Sequence, residues 1–293
     1  MEFKEKLAAY ASYFDGKLEA YMQESKSISP EITEAMHYSL CSGGKRIRPV
    51  LMRAVFELFS TADAQLVAPF ACALEMIHTY SLIHDDLPAM DNSDLRRGRA
   101  TSHKVFGEAM AVLAGDALLN LAFETALRAD TKPEVTLRAL RVLAECSGIH
   151  GMIGGQVIDV LNEGKQIDLL LLNELQEKKT AALLAAACVC GAVVGGAADT
   201  DIENMRKFAI CLGLAFQIKD DILDVEGDVA ALGKPTGNDE VCQKNTYVSL
   251  MGLDEAKKKL AEYTEKAREI IATYGERSTF LLDITQYLLE RAK

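Results

Sequence analysis

Two runs of aspartate are the residues of this chain best suited to chemistry: Asp85-Asp86-Leu87-Pro88-Ala89-Met90-Asp91 and Asp220-Asp221-Ile222-Leu223-Asp224. Pro88 disfavours helical geometry at Leu87, so the first run gathers carboxylates at a helix end. In the second, Gln217, Asp220, Asp221 and Asp224 fall at i, i+3, i+4 and i+7, one face of one helix. Carboxylates gathered among apolar residues are costly without compensating charge. Oxygen donors with no Cys/His set beside them suit a hard cation, and Mg²⁺ takes one or two carboxylates together with phosphate oxygens of a substrate. Either run alone could also be a helix cap or a solvated acidic turn, but the second interrupts a strongly apolar stretch, Phe208 to Val225, where a solvated turn has no place.

Positive charge lies near the same elements: Gly43-Gly44-Lys45-Arg46-Ile47-Arg48-Pro49, Arg96-Arg97-Gly98, Lys179-Thr180, and Lys234 with Lys244. In a chain of net charge −11 these are candidate phosphate clamps, Arg offering bidentate donors and Lys a point charge, though each alone is ordinarily a solvated face. No G-x-x-x-x-G-K-[ST] or strand-linked G-x-G-x-x-G is present, which removes support for nucleotide binding. His78 and His84 lie one and a half turns apart, while His37, His103 and His150 are isolated and no zinc spacing emerges. His84 reads as a structural neighbour of the acidic run.

These side chains must be positioned by helices. The chain has 293 residues, 49% of them apolar, with only 6 Pro and no Trp, and it is rich in Ala and Leu. No strand alternation persists. Helices are expected over 3–21, from Ser29-Pro30 to Ser42, and over 49–59, 63–86, 103–128, 134–162, 168–197, 201–226 and 254–290, the last broken near Gly275. Two long polar connections, 87–102 and 227–245, are the natural functional loops. No linker divides the chain, so one domain over 1–293 is expected. Thr180 to Ala198 carries no charge, but its Ala, Gly and Cys content fits a tightly packed core helix better than a membrane span. Seven cysteines without a C-x-x-C pair and the lack of a signal-peptide pattern point to a reducing, cytoplasmic setting. The acidic balance argues against nucleic acid or an anionic bilayer as partner.

The two aspartate runs, the G-G-K-R-I-R-P segment and the R-R-G after the first run together resemble the trans-isoprenyl diphosphate synthases, with the nearest match in the bacterial short-chain farnesyl diphosphate synthase (geranyltranstransferase) branch. The resemblance covers Gly43 to Tyr247 by motif. It implies an all-α fold, an orthogonal helical bundle of the isoprenoid synthase type around a central cavity, forming a single polyprenyl synthetase domain. It implies that Asp85, Asp91 and Asp220, with Asp86, Asp221 and Asp224, hold several Mg²⁺ (or Mn²⁺) ions bridging to an allylic diphosphate. Arg96, Lys179, Lys234 and Lys244 would clamp that diphosphate. Gly44, Lys45, Arg48, His78 and Arg97 would hold isopentenyl diphosphate, with Thr180 and Gln217 near the reacting carbon. Gly154-Gly155-Gln156-x-x-Asp159 matches a segment lining the family's cavity, and a homodimer is implied as well.

Asn92 and Ser93 stand where acidic residues are often seen, Ala100 where Pro is frequent, and Lys178-Lys179-Thr180-Ala181 where His-Lys-Thr-Gly is expected. Tyr80, with Ser81 beside it, lies about 7.5 Å along the helix axis from Asp85. An aromatic there goes with a C15 product in the family, which favours farnesyl diphosphate over a C20 geranylgeranyl product; Tyr80 could equally be a core residue. A class I terpene cyclase is a rival reading, but Asp224 and Asp228 occupy the places of its Ser/Thr and Glu. A noncatalytic synthase-like subunit would be expected to have lost a cluster or clamp, and both are present.

Overall fold

The computed structural model describes residues 2–25, 29–226 and 245–290, and almost every element is helical. Two compact units are found, residues 1–141 with 193–195, and 142–192 with 196–293.

The first unit opens with α1 (Phe3–Glu24), which buries Tyr10, Phe14, Leu18 and Met22, a stripe with a spacing of four. Met22 thus takes the inward place expected of Tyr21. Helix α2 (Pro30–Leu40) starts at the expected proline, although the Ser29 hydroxyl turns to Glu31 rather than capping the backbone. Helix α3 (Ile47–Phe59) starts two residues earlier than the pattern suggested, after Arg46 in left-handed geometry. Helix α4 (Ala68–Asp85) is buried on nearly every side, as befits a helix apolar all round. The apolar stretch expected over 103–128 divides at Gly107, with φ 86°, into α5 (Ser102–Phe106) and α6 (Glu108–Leu127). Ala111, Ala114, Gly115 and Ala122 are buried along α6, and small residues let neighbouring backbones approach closely. Among the described residues, α6 is the one helix long and apolar enough by composition to cross a bilayer. Helix α7 (Pro133–Ser147) follows.

In the second unit the helix expected over 134–162 is likewise interrupted, and α8 (Met152–Leu161) is separate from α7. The reason is local: a Cβ on Gly151 would lie 2.0 Å from the Cys146 carbonyl oxygen, so only glycine permits the tight turn. Helix α9 (Leu169–Gln176) runs through a π-helical turn, Glu177–Ala181, into α10 (Ala182–Val194). Ala186, Ala187, Cys188, Val189, Cys190 and Ala192 have no exposed surface, which places the uncharged segment as a core helix. Helix α11 (Asp199–Glu226) carries the second aspartate run. Helices α12 (Tyr247–Met251), α13 (Leu253–Ala272) and α14 (Thr279–Glu290) complete the unit, with the expected break at Gly275, φ 64°. Tyr247, fully buried among Ile167, Leu172, Ile218, Ile222 and Ala256, fixes α12 against α11.

Candidate functional site

The candidate residues form two groups, one within each unit, and each group is built by its own local packing. In the first unit α4 ends at Asp85 and the chain folds back on itself. Met90 and Asn92 donate their amides to the Leu87 carbonyl, Ser93 to that of Asp86, and Asp91 to that of Asp85 at 2.9 Å. This compact turn returns the third aspartate to the first across the long spacing of the run. Asn92 sits at φ 47°, a left-handed conformation that Asn tolerates better than most residues.

Asp86 is 3% exposed and accepts a fork from Arg96: Nε reaches its two oxygens at 2.9 and 2.8 Å, and a terminal nitrogen reaches Oδ1 at 2.7 Å. Arg96 is carried on a two-residue ladder, Leu95–Arg96 against Arg99–Ala100. Arg97 and Gly98 turn that hairpin with φ 53° and 76°, the left-handed pair its tight turn requires. Tyr38 steadies the hairpin, donating its hydroxyl to the Ala100 carbonyl at 2.8 Å and lying under the Arg99 guanidinium at 4.4 Å.

Arg97 lies across the G-G-K-R loop, its guanidinium donating to the Gly43 carbonyl at 2.9 Å. Gly44 has φ 146°, a conformation that favours glycine, and the Arg97 guanidinium lies 2.6 Å from where a Cβ would stand. Lys45 is exposed next to it. Arg46, in contrast, is 4% exposed and structural, binding Asp15 at 2.7 Å, Glu75 at 2.9 Å and the Leu40 carbonyl at 2.8 Å. Arg46, Glu75, His78, Asp86, Arg96 and Arg97 are among the residues lining one pocket. The Arg48 Nε is buried without a hydrogen-bond partner. Burial, then the charges of Arg48, Arg97, Arg96 and Arg46, hold His78 well below its ordinary pKa, so it is a neutral imidazole among cations. Such a pocket is short of negative charge, and a diphosphate would supply it.

Tyr80 is 5% exposed, and its buried hydroxyl has no partner. Burial and the Asp85 charge push it up to about 12. Its ring meets His84 edge to face, 5.7 Å between centroids. His84 Nε2 donates to the Val112 carbonyl at 3.1 Å, and a Cβ on Gly115 would stand 2.1 Å from that nitrogen; His84 is a packing residue, as expected. The Ser81 hydroxyl donates back to the His78 carbonyl at 2.8 Å.

In the second unit the π-helical turn presents Lys179 and Thr180, and such turns within α-helices recur at functional sites. Two glycines press on it. A Cβ on Gly155 of α8 would lie 2.3 Å from the Lys179 amide nitrogen, and one on Gly213 of α11 would lie 2.5 Å from the Ala181 Cβ. Gly213 therefore makes room for the methyl group that stands where the family pattern has glycine. Lys178 turns away toward Glu174 and the His150 carbonyl. Lys179 donates to Asp159 at 2.5 Å. That carboxylate was not assigned a role from sequence, although Gly154-Gly155-Gln156-x-x-Asp159 contains it. The Thr180 hydroxyl lies 3.2 Å from Gln176 Oε1 and 3.3 Å from Gln217 Oε1, and the Gln217 amide donates to Asp221 at 3.0 Å. The other Asp221 oxygen accepts the Tyr247 amide at 2.8 Å. Lys234 and Lys244 lie outside the described residues.

One pattern is common to the two aspartate runs. The second member of each Asp-Asp pair, Asp86 or Asp221, is 3% exposed with both oxygens in protein hydrogen bonds. Asp85, Asp220 and Asp224 are half-buried and Asp91 is exposed. Carboxylate oxygens gathered in this way, with no sulfur or imidazole among them, fit a hard divalent cation.

A family model described as Polyprenyl synthetase matches residues 29–277. A chloroplastic geranylgeranyl pyrophosphate synthase from Catharanthus roseus is 48% identical over 266 residues, covering 89% of this chain and 74% of that protein. A farnesyl diphosphate synthase from Bacillus subtilis is 41% identical over 288 residues, 97% of each. The crystal structure of an FPP/GFPP synthase from Zymomonas mobilis matches with a TM-score of 0.87 at 36% identity, over 98% of both chains. With that match and the helical architecture, the chain belongs to the polyprenyl synthetase family of short-chain trans-prenyltransferases, enzymes that generally use divalent metal ions.

Proposed function

We propose that this chain condenses isopentenyl diphosphate with dimethylallyl or geranyl diphosphate to give (2E,6E)-farnesyl diphosphate and diphosphate. The observation that carries the reading is the junction at the end of α4. There, carboxylates suited to a divalent cation adjoin a pocket of arginines and a neutral histidine suited to a diphosphate. Asp85, Asp91 and Asp220, with Asp86, Asp221 and Asp224, are the residues that would hold Mg²⁺. When bound, the metal supplies Lewis-acid stabilisation of charge on the departing diphosphate. Arg96 and Lys179, joined by Lys234 and Lys244, hold the allylic diphosphate, and Lys45, Arg48, His78 and Arg97 hold isopentenyl diphosphate against the Gly44 backbone.

The allylic C–O bond breaks with its electron pair leaving on diphosphate, and the π electrons of isopentenyl diphosphate form the new C–C bond. A proton is then lost to the released diphosphate, so no protein base is required. Thr180 and Gln217, joined through their side-chain oxygens, provide dipoles near the developing positive charge. A C15 limit is supported by the buried Tyr80 ring, which would block a longer tail. The C20 alternative is supported by the name of the Catharanthus relative. We take the chain as one functional domain, a homodimer located in the cytoplasm.

The test is incubation of the purified chain with labelled isopentenyl diphosphate and each allylic primer, followed by chain-length analysis. A C15 product is expected; C20 accumulation would overturn the length assignment, and no elongation with any primer would overturn the activity.

A further inference from the structure

Among the described residues, one group of mixed metal-type donors lies away from the aspartate runs: Glu19 of α1 with His37 and Cys41 at the end of α2. Their donor atoms all lie within 4.8 Å of one another. Sequence gave no zinc spacing because the third donor comes from another helix. His37 and Cys41 are an i, i+4 pair on one helical face, the same offset that two zinc-binding histidines of a helix use. Glu19 Oε2 is already 2.8 Å from His37 Nε2, and its other oxygen accepts from Gln23 at 3.2 Å, which orients the carboxylate. The Glu19 and His37 side chains are 43% and 46% exposed, so an ion has a path in from solvent.

We propose that Glu19, His37 and Cys41 form a site for a thiophilic divalent cation of the Zn²⁺ class, with water as the fourth ligand. The donor set decides the class: one sulfur, one imidazole nitrogen and one carboxylate oxygen suit zinc and discriminate against Mg²⁺. Zinc bonds to nitrogen and oxygen of about 2.0–2.1 Å imply roughly 3.3 Å between those tetrahedral donors. The present His37–Glu19 contact therefore has to open by only about 0.5 Å, within side-chain adjustment. Two anionic ligands, carboxylate and thiolate, neutralise the dication.

On binding, the Cys41 thiol proton leaves to solvent and the thiolate becomes a ligand. The ion ties α1 to the residue that leads directly into Ser42-Gly43-Gly44-Lys45, where the Gly43 carbonyl receives Arg97. The site is independent of the activity proposed above.

The test is titration of the reduced, metal-free chain with Co²⁺ in the presence of excess Mg²⁺, which occupies hard carboxylate sites. One equivalent of Co²⁺ is expected to give a thiolate-to-cobalt charge-transfer band, discharged by Zn²⁺. The band disappears in Cys41→Ser, a near-isosteric change whose fold is checked by circular dichroism and whose Mg²⁺-dependent turnover stays at the wild-type level. Glu19→Gln weakens Co²⁺ binding by about tenfold or more. Absence of the band in excess Co²⁺, its persistence in Cys41→Ser, or unchanged affinity in Glu19→Gln each overturns the proposal.

Discussion

Gly155→Ala adds one methyl group at the crossing of α8 with the π-helical turn. That carbon would lie 2.3 Å from the Lys179 amide nitrogen, 2.7 Å from its Cα and 2.8 Å from its Cβ. Ordinary contact needs about 3.5 Å, so the elements must part by roughly 1 Å. Overpacking of this kind costs about 1–3 kcal/mol, while replacing a helical glycine with alanine returns about 1 kcal/mol. The net loss of stability is therefore small, about 0–2 kcal/mol. The effect on rate is not small. A 1 Å displacement of a positioned catalytic group costs on the order of 10²-fold, and both Lys179 and Thr180 ride on this turn. The assay is steady-state condensation kinetics beside urea denaturation. Gly16→Ala is the control, since a Cβ there meets nothing within 4 Å in the interior of α1. The control should gain about 0.4–1 kcal/mol of stability with unchanged turnover. Wild-type turnover in Gly155→Ala would refute the claim that this crossing sets the position of Lys179.

Three further outcomes are expected. Glu75→Ala leaves the buried Arg46 guanidinium without its most enclosed partner and should cost about 3–5 kcal/mol in denaturant unfolding; a loss within 0.5 kcal/mol, about the noise of a surface change, contradicts the anchoring role. His78 has a folded pKa depressed below the ordinary 6.5, so its contribution to stability is complete above that pH and is lost as pH falls toward the folded value. His78→Gln should accordingly flatten the dependence of unfolding free energy on pH between about 7 and 5, where the group contributes at most about 1.4 kcal/mol per pH unit; equal slopes in the two proteins contradict this. Tyr80→Ala should lengthen the product past C15, read by chromatography of the dephosphorylated alcohols, and an unchanged C15 product argues that the ring is only a core residue.

The parts of this molecule legible in sequence are those set by short-range spacing. The i, i+3, i+4, i+7 face of Gln217, Asp220, Asp221 and Asp224 is present on α11, and the end of α4 falls at the first aspartate run. What spacing could not reveal is which aspartate of each pair turns inward, because the deciding partners are remote: Arg96 on its hairpin for Asp86, the Tyr247 amide for Asp221. The π-helical turn is marked in sequence only by the departures at Lys178 and Ala181, since the glycines packed against it, Gly155 and Gly213, come from two other helices. Helix continuity over 134–162 was overestimated because apolar periodicity continues on both sides of the Gly148–Gly151 turn. The Glu19, His37 and Cys41 group was invisible for the same reason, one donor being on α1 and two on α2.

The central proposal, that turnover needs the carboxylates of both runs together with divalent cations, is tested most directly by turnover of Asp85→Ala, Asp220→Ala and the double variant across a Mg²⁺ titration. Each single variant should lose on the order of 10²–10³-fold or more with its far-ultraviolet dichroism intact, and chelator should abolish turnover in the wild type. Because the groups act as a unit, the double variant should lose about as much as either single one. Near-wild-type turnover in either single variant, or product formed in the presence of chelator, would contradict the account.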